Sequence, residues 1–143
     1  MKIIEVNSPK SIKSFLNLPQ QIYKNDKNWI PHLKQDITKV FNPNKNKLHH
    51  KGKIIRWILI DDNQACIGRI AAFVYDDTKN GGIGFFECIN DKSAAFQLFD
   101  AAKLWLTKHE ATFMDGPINF GEKNMFWGLL IENFTDPNSY GMN

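Results

Sequence analysis

The spacing of hydrophobic residues changes near residue 53 and divides the chain into a helical part and a strand-rich part. The chain begins with Met1–Val6, a short apolar run that contains one acid, and this run predicts a strand. From there to residue 41, apolar residues recur every three or four positions, as in amphipathic helices. Beyond residue 53, β-branched runs separated by short polar turns predict strands.

The first helix is predicted to begin after a polar cap and to contain an awkward proline. Asn7 or Ser8 is the expected cap, with Pro9 at the first helical position. Pro19 is expected to break the helix, because proline lacks the amide hydrogen that the helical ladder needs. The helix is then expected to restart over Gln20–Tyr23.

A second helix and three strands are predicted in the middle of the chain. The helix covers His32–Phe41, and the polar residues 42–52 after it predict an exposed loop. The strands are predicted over Ile54–Ile60, Ala65–Tyr75 and Gly82–Ile89. Short polar turns join them, which predicts an antiparallel meander.

The last part of the chain predicts a crossover back to the sheet. An amphipathic helix over Ser93–His109 leads to a strand at about Thr112–Ile118. A right-handed crossover of this kind places that strand parallel to Gly82–Ile89. A short helix is predicted over Phe126–Asn133. Together these elements predict an α/β (α+β) fold with a mixed sheet, in one domain covering residues 1–143.

The composition limits where in the cell the protein is expected. No apolar run approaches the roughly 18 residues that a membrane-spanning helix needs, and the first residues lack the features of a signal peptide. Cys66 and Cys88 lie inside predicted strands, which favours buried thiols over a disulfide. We therefore expect a cytoplasmic protein that does not span a membrane.

Charge is distributed unevenly along the chain. Residues 1–60 contain 12 Lys and Arg against 3 Asp and Glu, whereas residues 61–143 contain 6 against 12. The basic half attracts phosphates in principle, but an exposed Asn- and Lys-rich loop is the favoured explanation. Aromatic residues do not alternate with these lysines, so nucleic-acid binding is not expected. The adjacent His49 and His50 do not predict a metal site.

The stretch Gly81–Asn90 is the predicted site, since an apolar strand there runs through a tight turn into a helix. Glu87, near the strand's end, is the best candidate for a general base. The alternative is an ordinary polar residue facing the helix turn. Cys88 follows it on the opposite face of the sheet, since side chains alternate along a strand. For Cys88, a buried structural thiol is favoured over a nucleophile.

The turn into the helix offers two interpretations. Asp91 or Ser93 caps the helix, or the helix N-terminus binds an anion with help from Lys92. The turn contains no glycine, and a carboxylate at Asp91 repels a phosphate. Capping is therefore the favoured interpretation.

Several motifs resemble a known superfamily. They are N-W-I-P-H-L at Asn28–Leu33, I-R-W-I-L at Ile55–Leu59, I-G-R-I-A-A-F at Ile67–Phe73, G-G-I-G-F-F-E-C at Gly81–Cys88 and D-G-P-I-N-F-G-E at Asp115–Glu122. With the element order, they resemble the GNAT superfamily of acyl-CoA-dependent N-acyltransferases. The closer likeness is to the amino-terminal part of a bacterial family of longer GNAT-like proteins.

The resemblance implies a site for acetyl-CoA or another acyl-CoA between two parallel strands that part at their tips. It places the acyl and pantetheine path along Glu87, Cys88 and Ile89. The pyrophosphate would lie at the following turn, where this chain has Asn90, Lys92 and Ser93. An Asn near the end of the next strand often bonds the cofactor in such proteins, and Asn119 is the matching residue here.

Two functions follow from this resemblance. The first is an N-acyltransferase that moves an acyl group from acyl-CoA to an unknown amine, with Glu87 as base. The second is a non-catalytic GNAT-like domain with a degenerate CoA site, used for ligand binding or self-association. The glycine-free turn favours the second, as does the lack of a tyrosine in Phe126–Asn133, which leaves Tyr140 as a distant candidate acid.

The resemblance also bears on assembly. The usual fold continues with two more strands, so the domain is expected to be incomplete at its C-terminus. The strand edge left open after Ile118 is expected to be covered in a homodimer, since open edges tend to pair.

Overall fold

The computed structural model describes residues 1–121 of the chain. Its elements follow in the order β1 (Lys2–Glu5), α1 (Pro9–Ile22), α2 (Lys34–Val40), a 3-10 turn (Lys47–His50), β2 (Gly52–Ile60), β3 (Cys66–Tyr75), β4 (Asn80–Cys88), α3 (Lys92–Lys108) and β5 (Phe113–Asp115). Within this part of the chain, the order of helices and strands is the predicted one. The helix predicted over Phe126–Asn133 lies outside the described residues.

The described strands form one mixed sheet whose spatial order equals the chain order, from β1 to β5. The pairings from β1 to β4 are antiparallel. The pairing of β4 with β5 is parallel, and α3 makes the crossover between them. The mixed sheet, the meander and the parallel pair are therefore confirmed.

The sheet carries a hydrophobic layer on each face, and β3 is buried in both layers. On one face, Ile70, Ala72 and Val74 pack against the buried side of α3. On the other face, Ala71 and Phe73 pack with residues of α1 and α2. This alternation along β3 makes Arg69 a charged residue on the α1 side of the sheet.

Helix α1 begins as predicted and runs through its proline. The Ser8 side chain caps the helix by accepting a hydrogen bond from the amide of Ser11, and Pro9 is the first helical residue. The predicted break at Pro19 is wrong, because the helix continues to Ile22 with Pro19 buried inside it. Without an amide hydrogen, Pro19 cannot bond the carbonyl of Phe15 four residues earlier. That carbonyl instead accepts a hydrogen bond from Arg69 Nη1 at 2.8 Å.

The polar segment before β2 is more ordered than an exposed loop. It contains the 3-10 turn, and the Asn46 side chain donates to the carbonyls of Val40 and Phe120 at 3.0 and 2.9 Å. The His49 ring packs edge-on against Phe120. The prediction of an exposed loop over residues 42–52 is therefore wrong for this part of the segment, since long-range contacts not encoded in local composition fix it.

A β-bulge interrupts β4 at Phe85, whose φ is +49°. In the register with β3, Ala71 faces Gly84 and Arg69 faces Glu87, so β4 contains one extra residue in this interval. Before the bulge, Ile83 packs on the α3 side, whereas Phe85 in the bulge packs on the α1 side. The bulge therefore changes which residues of β4 face each helix layer.

Candidate active site

Glu87 lies on the α1 face of the sheet because of the bulge. Strict alternation from Ile83 would turn Glu87 toward α3. With the extra residue at Phe85, Glu87 instead faces Arg69, its direct cross-strand partner. Cys88 packs at the margin of the α3 layer, which confirms that Glu87 and Cys88 point to opposite faces.

Arg69 is the buried cation of this site. Its side chain is 2% exposed, and its Nη2 lies 3.6 Å from Glu87 Oε1. The guanidinium also lies over the Phe15 ring, 4.9 Å from the centroid. Its Nε is buried without a hydrogen-bond partner among the described residues. A buried charge is stable only when paired, and Glu87 supplies the pairing carboxylate.

Tyr23 completes the site from the segment after α1. Its hydroxyl donates a hydrogen bond to Glu87 Oε2 at 2.6 Å, a short distance typical of an O–H donor on a carboxylate. The Tyr23 ring stacks on Trp29 with centroids 5.3 Å apart. One oxygen of Glu87 thus faces a cation and the other accepts a phenolic proton.

Burial dominates the proton affinities of this cluster. It raises the pKa of Glu87, against the opposing effects of the Arg69 charge and the Tyr23 hydrogen bond. Burial also raises the pKa of Tyr23, and the neighbouring Glu87 charge adds to the shift. Desolvation lowers the pKa of Arg69 to about 10, so the guanidinium is charged at neutral pH. A carboxylate with a raised pKa is better suited to accept a proton than an exposed one.

A shallow cleft with a cavity volume of about 20 Å³ lies beside this cluster and opens to solvent. Arg69 belongs both to its wall and to the Glu87 contact. The wall is mixed, with five apolar residues and four polar or charged ones; it is formed by Leu16, Pro19, Gln20, Trp29, Pro31, His32, Lys34, Ile37 and Arg69. Ile30 and Leu33, from the same segment, are 46% and 56% exposed. Burial lowers the pKa of His32, with Arg69 as the second cause, so its ring is neutral at pH 7.

The residues predicted to bind the cofactor lie together at the end of β4 and the start of α3. Cys88 ends β4 and is partly buried, and the exposed Ile89 donates its amide to the carbonyl of Ile67 at 2.9 Å. Asn90 and Ser93 are exposed. The Lys92 ammonium lies over the Phe96 ring at 5.5 Å. Their roles in binding acyl-CoA remain predictions.

The cap of α3 is Asp91, one of the two residues predicted to cap it. Its side chain accepts a hydrogen bond from the amide of Ala94 at 3.0 Å. A carboxylate therefore lies at the helix N-terminus, where the dipole and unpaired amides stabilise negative charge. Any phosphate of a bound cofactor would have to share this terminus with Asp91.

Asn119 joins β4 to the chain after β5. Its side-chain oxygen accepts a hydrogen bond from the amide of Phe85 at 2.8 Å, and the amide of Ile118 donates to the carbonyl of Ile83. The β4–β5 ladder covers only Asn80–Gly82, but these two bonds hold the segments together as far as Phe85. Any opening between them can begin only beyond Phe85. Whether Asn119 bonds a cofactor remains a prediction.

The two thiols are structural in their surroundings. Cys66 and Cys88 are free and partly buried. Burial raises the pKa of Cys66 to about 11 and also raises that of Cys88. A thiol with a raised pKa is a poor nucleophile at neutral pH. This supports the preference for a structural thiol at Cys88.

Within residues 1–121, no group of three or more His, Cys, Asp or Glu side chains is placed to hold a metal.

The sequence-based prediction of the site did not include Arg69 and Tyr23. Arg69 carries a usable signal, because it is the one charged residue in an otherwise apolar strand of ten, and a charge in such a strand needs a partner. Tyr23 carries no comparable signal, since it lies 64 residues before Glu87 in an irregular segment. Only the packing of α1 on the sheet brings them together.

Comparison with solved structures shows that the arrangement of helices and strands is the GNAT acetyltransferase fold. An acetyltransferase of the GNAT family from Staphylococcus aureus Mu50 matches with a TM-score of 0.58 at 16% identity, over 79% of this chain and 69% of that one. Tetrahymena GCN5 matches with a TM-score of 0.55 at 14% identity, over 80% and 68%. The fold predicted from the motifs is therefore confirmed.

Curated sequences give two relatives of greater length. Protein YghO from Escherichia coli is 30% identical over 88% of this chain and 33% of its own length. The bacterial ceramide synthase of Caulobacter vibrioides is 28% identical over 96% of this chain and 37% of its own length. The chain thus spans about a third of the length of the curated relatives it matches. No family model matches it.

In residues 1–121, no helix is long and apolar enough to cross a bilayer.

Proposed function

We propose that the chain contributes the catalytic base of an N-acyltransferase that moves an acyl group from acyl-CoA to an amine. The observation that carries the proposal is the carboxylate of Glu87, which is only 12% exposed and lies between Arg69 and Tyr23 on a GNAT fold. Such a carboxylate can remove the amine's proton, directly or through one water molecule.

The reaction balances without a metal or a redox partner. The amine nitrogen attacks the thioester carbonyl, the new amide C–N bond forms, and the C–S bond breaks. Glu87 takes the proton that the nitrogen loses. CoA leaves as a thiolate and takes a proton from solvent or from a residue outside the described part of the chain.

We propose further that the acceptor is an apolar, lipid-like amine. Part of the cleft wall is apolar, with Leu16, Trp29 and Ile37 among its residues. Ile30 and Leu33, in the same segment as Trp29, add exposed aliphatic surface. A ceramide is a fatty amide, so the name of the Caulobacter relative denotes an N-acylation of this chemical type. The apolar part of the wall favours a long-chain amino alcohol, and the cations of Lys34 and Arg69 disfavour a polyamine.

The test combines calorimetry with a turnover assay. Acetyl-CoA and octanoyl-CoA are titrated into the protein, and CoA release is followed with dodecylamine, a long-chain amino alcohol and spermidine as acceptors. We expect Glu87→Gln to lower turnover by about 10²-fold or more with unchanged acyl-CoA affinity. Glu5→Gln, on the exposed side of β1, is the matched control and should match the wild type.

The non-catalytic alternative has one specific observation in its favour, the Asp91 carboxylate at the start of α3. Its negative charge opposes a pyrophosphate at that helix terminus. If neither acyl-CoA binds at millimolar concentration, the acyltransferase proposal is rejected and the non-catalytic domain is retained. Tight binding without turnover of any amine would also favour this alternative.

A further inference from the structure

We infer that Arg69 and Tyr23 are positioning residues for Glu87: the Tyr23 hydroxyl holds Oε2 by a hydrogen bond, and the Arg69 cation faces Oε1, which is left to accept the proton. The inference rests on the proposed function in that Glu87 is taken as the base. The way in which the Glu87 carboxylate is held in the unliganded protein can be measured whether or not the protein turns over a substrate.

The anchor of Arg69 begins inside helix α1. Pro19 leaves the Phe15 carbonyl without its helical partner, and Arg69 Nη1 donates to that carbonyl at 2.8 Å. The Phe15 ring packs against the same guanidinium. The guanidinium is thus fixed from the helix side, with Nη2 directed toward Glu87. The buried proline explains how α1 can bond a side chain of β3 through its backbone.

The two oxygens of Glu87 are held differently. Oε2 accepts the hydroxyl of Tyr23 at 2.6 Å, and stacking on Trp29 fixes the Tyr23 ring. Oε1 lies 3.6 Å from Arg69 Nη2, which is beyond hydrogen-bond length, and it accepts no hydrogen bond from residues 1–121. Oε1 therefore interacts electrostatically with the Arg69 cation, and its lone pairs are available to accept a proton.

The charged groups around Glu87 come from three elements. Arg69 on β3 is the nearest cation, and Tyr23 after α1 is a neutral donor. Asp26 acts on Tyr23, and His32 and Cys66 lie near Arg69. Because Arg69 and Tyr23 both stabilise the ionised form of Glu87, removing either should raise the carboxyl's pKa.

The test is a pH titration of Glu87 by NMR in the full-length chain, with δ-¹³C-labelled glutamate and no ligand. The chain contains five glutamates, and the Glu87 signal is the one absent from Glu87→Gln. We expect Tyr23→Phe to raise the pKa of Glu87 by about one unit and Arg69→Met to raise it further.

Matched controls separate positioning from packing. Tyr75→Phe removes a hydroxyl from a partly buried tyrosine that packs on Phe73 and Phe120. Arg56→Met removes a guanidinium that also lies over the Phe15 ring, 5.3 Å from its centroid. Neither control should move the Glu87 titration. A Tyr23→Phe titration that coincides with the wild type overturns the inference, and so does an equal shift in Tyr75→Phe.

Turnover gives a second readout. In an active protein, the acidic limb of kcat/KM against pH should move upward in Tyr23→Phe by the shift seen in the titration, so that kcat/KM below that limb falls about tenfold per unit. Failure of the proposed function has a different signature: the wild type is inactive, yet the Tyr23→Phe titration still shifts. No shift in an active protein rejects the positioning role alone.

Discussion

At the scale of single residues, the notable feature is a charged pair inside the packed layer between α1 and the sheet. Removing one partner of a buried pair leaves the other charge uncompensated and typically destabilises a protein by about 3–5 kcal/mol. Replacing both by apolar groups often has no such effect. A pair of this kind contributes little net stability, and its place beside a cleft is what the proposed chemistry at Glu87 requires.

The raised pKa of Glu87 predicts a specific dependence of stability on pH. The unfolded carboxyl ionises near pH 4.5, whereas burial keeps the folded one protonated to higher pH. As the pH rises from 4.5 toward the folded pKa, only the unfolded state has lost its proton, so the free energy of unfolding must fall. We expect this fall in the wild type and not in Glu87→Gln, measured by urea unfolding at a series of pH values.

The control for this measurement is Glu5→Gln, whose carboxyl is exposed on β1. Its pH dependence should follow that of the wild type. If the difference between wild type and Glu87→Gln instead grows with pH, the Arg69 charge outweighs burial and the folded pKa of Glu87 is lowered.

At the scale of elements, the junction between β4 and the segment after β5 determines the geometry of the site. The bulge at Phe85 directs Glu87 toward α1, and Asn119 bonds the Phe85 amide within that bulge. Gly84 is required beside it, since a Cβ there would overlap the Asn119 side chain and the Ile118 carbonyl. The position of Glu87, the proposed base, thus depends on a backbone irregularity fixed by a buried amide.

Removing the Asn119 side chain should loosen this junction. Asn119 is 7% exposed, and Asn119→Ala removes the hydrogen bond that its side chain accepts from the Phe85 amide. We expect a loss of about 1–3 kcal/mol in the free energy of unfolding, measured by urea denaturation. Asn80→Ala, at the exposed start of the same strand, should change it by less than about 0.5 kcal/mol. Equal losses in both variants would contradict a special role for the junction.

At the scale of the whole molecule, β5 is the outermost described strand and carries exposed apolar side chains. Phe113 and Met114 are 61% and 39% exposed, and Ile118 after them is 41% exposed. Among residues 1–121, no strand pairs with the outer edge of β5. An apolar strand edge of this kind tends to pair with further chain. The homodimer predicted from the sequence remains a proposal, and this edge is the surface it would use.

Light scattering at several protein concentrations tests the dimer. We expect the wild type to dimerise and Phe113→Lys to shift the population toward monomer, because a charge on the edge strand disfavours pairing. Leu104→Lys is the control, since Leu104 is equally apolar and 59% exposed but lies on α3. A wild type that stays monomeric at all concentrations contradicts the proposal.

Local pattern was sufficient to predict most of the elements in the described part of the chain. Helical spacing, the Ser8 cap and the polar turns depend on neighbours within a few residues, so they can be predicted from the sequence. The break expected at Pro19 was wrong because a distant arginine satisfies the carbonyl that proline leaves unpaired. The ordered turn before β2 was missed for a similar reason, since Asn46 bonds a carbonyl 74 residues away.

The sequence by itself determined the order of helices and strands, the parallel return of β5 and a cap of α3 at Asp91 or Ser93. Those features follow from short-range periodicity and from residue types at fixed spacing, whereas the choice of Glu87 as candidate base also drew on the family resemblance. Only the tertiary structure decided which face of the sheet Glu87 occupies and that Tyr23 and Arg69 hold it. The physical reason is that a single extra residue at Phe85 reverses the alternation of β4, and the two partners reach Glu87 through packing across the sheet.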